Sequence, residues 1–181
     1  MLKDVDDALI VRRCLNGESR AFEVIIDKYQ KTIYNLALRM VSDTQDAEDI
    51  AQTVFIKVYE NLRSYNPKYK FFSWMYRIAL NESINFVQQK KKLEEIDADV
   101  VSNDGTPDQE YSEIELRENV QLALMRLKVD YRVVIVLSHF QDLSYDEIAY
   151  ILEIPIKTVK SRLFTARQLL REILIKRRVY E

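Results

Sequence analysis

Between Lys157 and Arg167 the chain sets Lys157, Thr158, Lys160, Ser161, Arg162 and Arg167 mainly off the stripe formed by Val159, Leu163, Ala166, Leu169 and Leu170. Cations and short hydroxyls on the open side of a helix suit phosphates and base edges in duplex DNA. A second cluster, 65–77, reads Tyr-Asn-Pro-Lys-Tyr-Lys-Phe-Phe-Ser-Trp-Met-Tyr-Arg. Seven of its thirteen residues are aromatic or methionine, and Lys68, Lys70 and Arg77 interleave with Tyr69, Phe71, Phe72, Trp74 and Tyr76. Aromatic faces beside cations make a stacking platform for unpaired bases, each worth roughly 1–3 kcal/mol. Asn81 and Asn85 follow at helical spacing, within reach of base edges. The same rings also suit a core, Trp74 and Tyr76 above all, and spacing leaves both readings open. A third stretch, Asp46-Ala-Glu-Asp-Ile-Ala-Gln-Thr-Val-Phe, sets Asp49, Gln52 and Thr53 off an apolar stripe. It suits either a plain solvated surface or a docking face for a protein.

These side chains need helices to hold them. Ser144 with Glu147 three residues on predicts a capping box. Ile148, Ala149, Ile151 and Leu152 give that helix its apolar side, and Pro155 suits the start of the next one. Two short helices about a tight break form a helix-turn-helix pattern. Upstream, Ala8, Leu9, Val11 and Leu15 begin a helix that Gly17 can end. Phe22, Ile25, Ile26, Tyr29, Ile33, Leu36, Ala37 and Met40 follow the 3.6 period. Asp43 is placed to cap the next helix, whose stripe is Ala47, Ile50, Ala51, Val54, Phe55 and Val58. Another helix is expected over 72–92. The run Val133-Val134-Ile135-Val136-Leu137 fits a buried strand as well as a helix; helix is chosen because no other convincing strand accompanies it.

The segment 94–109 has no apolar period, and carries Asn103-Asp104-Gly105 and Pro107. It reads as a flexible acidic linker, too long for an ordinary loop. The expected architecture is all-α: two small helical domains, 8–92 and 112–178, joined by a linker over 93–111. Only two glycines and three prolines in 181 residues agree with helices and short connections. One cysteine, Cys14, excludes an internal disulfide and fits a reducing cytoplasm. His139 is the only histidine, so a multi-histidine zinc site is excluded within the chain. Nothing approaches the roughly 20 apolar residues of a membrane span, so no membrane insertion is expected. The net charge of −2 hides blocks of opposite sign. Residues 157–181 hold eight Lys/Arg against two Glu, and 93–118 hold ten Asp/Glu against one Arg.

Together the three motifs, in this order and across a linker, resemble the extracytoplasmic-function (ECF, group 4) sigma factors of the sigma-70 family, over about 8–176. The stretch from Asp46 to Phe55 resembles the core-binding part of region 2, and Phe72-Ser-Trp-Met-Tyr-Arg-Ile-Ala-Leu-Asn the part that melts and reads the −10 element. Thr158-Val-Lys-Ser-Arg-Leu resembles the region 4 recognition helix. The resemblance implies that Asp46, Asp49, Gln52 and Phe55 dock on core RNA polymerase, chiefly the clamp coiled coil of β′, with β also engaged. It implies that Lys68, Phe71, Phe72, Trp74, Arg77, Asn81 and Asn85 serve the melted −10 strand. Lys157, Thr158, Lys160, Ser161, Arg162 and Arg167 would contact −35 duplex. The linker would thread toward the polymerase interior, its acids mimicking nucleic acid. An anti-sigma partner is implied, and neither cofactor, metal nor catalysis. Three positions depart from the family pattern: Glu153 and Lys157 where glycine is common, and Lys128-Val129 near a missing proline. Two rival readings are a helix-turn-helix regulator acting without polymerase, and a metal-dependent hydrolase built on Asp46, Glu48 and Asp49.

Overall fold

The computed structural model describes residues 6–96 and 113–176. Among them are eight α-helices and no strand. In order they are α1 (Asp7–Leu15), α2 (Phe22–Val41), α3 (Thr44–Glu60), α4 (Phe71–Ile96), α5 (Glu113–Met125), α6 (Val129–Ile135), α7 (Tyr145–Leu152) and α8 (Ile156–Lys176). A π-helical turn, Val136–Phe140, prolongs α6. Residues 97–111 of the expected acidic linker lie outside the described residues. α4 continues to Ile96, past the expected start of that linker.

Local chemistry accounts for the ends. Asp43 caps α3 by accepting from the Asp46 amide at 2.9 Å. Ser144 and Glu147 form the expected capping box on α7. Gly17 holds φ 97°, a left-handed conformation that lets the chain turn out of α1. Glu153 takes φ 53° in the turn between α7 and α8. A non-glycine residue there costs on the order of 1 kcal/mol.

The first half packs α1, α2, α3 and α4 around Ile25, Ile33, Leu36, Met40, Ala47, Val54, Met75 and Leu80, all at most 1% exposed. The second half packs α5, α6, α7 and α8 around Leu124, Ile135, Leu137, Ile148 and Leu163. The β-branched run 133–137 is helical and wholly buried; packing on several sides outweighs its strand preference.

The two halves touch. Arg132 is 6% exposed and spends its guanidinium on four backbone carbonyls. Three belong to its own half: Leu124 (3.0 Å), Met125 (2.8 Å) and Leu127 (3.3 Å). The fourth is Met40 at the end of α2, 92 positions away. Gln121 adds a bond to the Leu38 carbonyl at 3.1 Å, and the Arg39 guanidinium lies over the Phe140 ring at 4.4 Å.

Candidate nucleic-acid interface

α8 carries its basic face outward because Val159, Leu163, Ala166 and Leu174 are buried where α8 packs on α5, α6 and α7. Lys157, Lys160 and Ser161 are exposed on that face. Lys160 sits 5.9 Å from the Tyr145 ring, which orients it, and Ser161 donates to the Thr158 carbonyl at 3.1 Å. Phe164, Gln168 and Arg171 continue the face at three- and four-residue steps. Phe164, absent from the residues singled out by type, is 64% exposed; the sequence signal for it is a large apolar residue off the buried stripe. Thr158 and Arg162 lie to one side, and Arg162 pairs with Asp130 at 3.3 Å. Arg167 lies on the other flank and donates to His139 Nε2 at 3.1 Å. Burial and the neighbouring Arg167 hold the His139 imidazole below its ordinary range. The six −35 candidates thus divide into an outward group and two flanks.

The aromatic cluster divides too. Phe71, Met75 and Tyr76 are buried, at 2%, 0% and 5% exposure. Phe71 packs against Tyr29, Tyr65 and Trp74, so the ring proposed for base contact is part of the core that supports the surface. Of the seven such residues beside this turn only Phe71, Met75 and Tyr76 are buried, with Tyr29 of α2 packed on Phe71, and Tyr69 is 48% exposed. Phe72 and Trp74 are half-buried. Lys68, Tyr69 and Lys70 are exposed, with Tyr65 donating to the Tyr69 carbonyl at 2.7 Å to hold the loop. Arg77, Asn81 and Asn85 share α4 but not one neighbourhood. Arg77 and Asn81 line a cavity between the halves with Leu80, Asp130, Ile151 and Arg162. Asn85 lines a separate groove between α3 and α4 with Asp49, Thr53, Lys57, Glu82 and Phe86.

On α3, Asp49 and Gln52 are exposed beside that groove, while Phe55 is buried at 9% exposure. Asp46 is half-buried and pairs with Lys90 of α4 at 2.8 Å; Lys57 pairs with Glu82 at 2.5 Å. These two bridges fix α4 along α3 and leave Asp49 and Gln52 facing out. Among the described residues no group of three or more His, Cys, Asp or Glu side chains is placed to hold a metal. No described helix is long and apolar enough to cross a membrane.

Residues 25–93 match the family model for sigma-70 region 2, and residues 117–170 match sigma-70 region 4. The ECF RNA polymerase sigma factor SigW of Bacillus subtilis is 36% identical, over 90% of this chain and 93% of its own length. The chain belongs to the sigma-70 family, as an ECF sigma factor. The RNA polymerase sigma-H factor of Pseudomonas aeruginosa is 33% identical over 93% of each chain. CnrH, solved in complex with the cytosolic domain of CnrY, shares the fold with a TM-score of 0.72 at 23% identity, covering 94% of this chain and 97% of CnrH. RpoE of Bartonella quintana, solved with the anti-sigma factor NepR, has a TM-score of 0.70 at 24% identity, covering 84% and 96%. In this sigma factor region 2 spans most of α2 through α4, and region 4 spans α5 to α8. The regulator that acts without polymerase is not favoured.

Proposed function

We propose that this sigma factor directs promoter-specific initiation by docking on core polymerase through Asp49 and Gln52 of α3, with Asp46 and Phe55 setting that helix in place. Its 8–92 domain captures the melted −10 strand, and its 112–178 domain reads −35 duplex. Lys157, Lys160 and Ser161 contact DNA directly from the outward face of α8. Arg162 and Arg167 flank them. Phe72 and Trp74, with Lys68, Arg77 and Asn81, form the −10 surface over a floor made by Phe71, and Asn85 extends it from the groove between α3 and α4. The chain makes and breaks no bond, and its work is positioning.

The observation that supports this most is the continuity of both family matches with two separate polar surfaces, one on α8 and one on α4. Two tethered sites of modest strength gain affinity by acting together on one promoter. An anti-sigma partner fits the sigma–anti-sigma complexes of CnrH and of the Bartonella quintana RpoE. The test is transcription in vitro with purified core polymerase on genomic DNA. Discrete starts that depend on this protein are expected. Failure to retain core polymerase in a pull-down would overturn the reading.

A further inference from the structure

We propose that α7 is a built-in competitor for melted DNA: Glu147, Tyr150 and Glu153 take, on Lys70, Tyr69 and Arg77, the places of a base and its flanking phosphates. The proposal rests on the −10 surface described above. The Tyr69 and Tyr150 rings stack with centroids 4.5 Å apart and planes 24° from parallel, the geometry a stacked base would adopt. Arg77 lies over the Tyr150 ring at 4.7 Å, donates to the Tyr150 carbonyl at 3.0 Å and pairs with Glu153 at 2.6 Å. Lys70 pairs with Glu147 at 2.7 Å. That contact, more than the capping box, draws the Glu147 carboxyl below the usual range. Tyr76 donates to Gln141 at 2.6 Å at the edge of the same contact. An aromatic plane between two carboxylates thus sits on an aromatic plane between two cations.

Two features make the contact displaceable. The Lys70 and Glu153 side chains are 68% and 70% exposed, so the ion pairs are solvated and individually weak. The Arg77 Nε is buried with no acceptor, which leaves a donor for a better-placed partner. The arrangement also gives Glu153 a purpose in its left-handed turn, where the family commonly has glycine. A glycine would ease the backbone and leave Arg77 without its carboxylate. A surface available only in a fraction of molecules binds with affinity reduced by that fraction.

The test compares full-length chains binding a fluorescein-labelled, mixed-sequence single-stranded 12-mer by anisotropy. The variant Glu147→Gln/Tyr150→Ala/Glu153→Gln should bind about tenfold tighter than the charge-matched control Glu23→Gln/Glu60→Gln, if closure holds about nine molecules in ten. Tyr150→Ala alone leaves charge unchanged and should tighten binding by about threefold. Glutamine at 147 keeps the capping box, and circular dichroism with duplex binding through α8 verifies the fold. Equal, measurable affinities for variant and control would overturn the proposal while leaving the −10 reading intact. No binding by any of the chains would remove the −10 reading and the proposal with it.

Discussion

Lys160 and Trp74 represent the two surfaces at the scale of single residues. Lys160 is exposed on the outward face of α8, so Lys160→Ala should weaken duplex binding and lower its salt slope by about one unit. Trp74 packs against Tyr65 and Phe71, each at 5.6 Å. Trp74→Ala should spare duplex binding and impair open-complex formation, read by permanganate footprinting. Equal losses of duplex affinity in both variants would contradict that division. His139 gives a pH dependence. Its pKa is lowered from 6.5, so its neutral, Arg167-accepting form contributes stability fully above about 6.5. That contribution is lost as pH falls through the folded-state value, when a protonated Nε2 can no longer accept. An NMR titration should place the His139 midpoint below 6.5, and Arg167→Ala should raise it. The exposure of Lys157, Lys160 and Ser161 was legible from the apolar stripe beside them. The burial of Phe71 and the flanking placement of Arg162 were not, because each depends on a partner distant in sequence, Tyr29 for one and Asp130 for the other.

At the scale of elements, caps and stripes carried the reading. Ser144, Glu147 and Asp43 act where their spacing placed them, because a cap is satisfied within three residues. Ser144→Ala should lower stability by about 1 kcal/mol in chemical denaturation, with α7 fraying first. Glu153→Gly should change stability by less than about 1 kcal/mol, since relief of the left-handed strain opposes loss of an exposed ion pair. A larger shift would mean that the Arg77 contact is stronger than its exposure allows. The run 133–137 shows where periodicity stops deciding: every position is buried, so no polar face reveals the period. The end of α4 shows the same limit from the other side. Residues 90–95, Lys-Lys-Lys-Leu-Glu-Glu, carry no apolar stripe, yet the helix runs through them to Ile96.

For the molecule as a whole, one buried guanidinium joins the domains through the Met40 carbonyl, beside the more exposed contacts of α4 with α7. Arg132→Met should leave the buried carbonyls of Met40 and Leu127 without this donor, while Leu124 keeps the Leu127 amide, and cost about 3 kcal/mol. Calorimetry should then resolve two melting transitions in place of one. Arg132→Lys should recover little, because one ammonium cannot span four acceptors. Nothing in the sequence announced this joint, since basic residues are ordinarily surface residues and Met40 lies 92 positions upstream. Yet the acceptor on the far side is a main-chain oxygen, which every residue type presents equally. The docking site for Arg132 therefore places no demand on side-chain identity at position 40. Met40→Leu should accordingly keep the Arg132 contact and the single melting transition, which calorimetry would show.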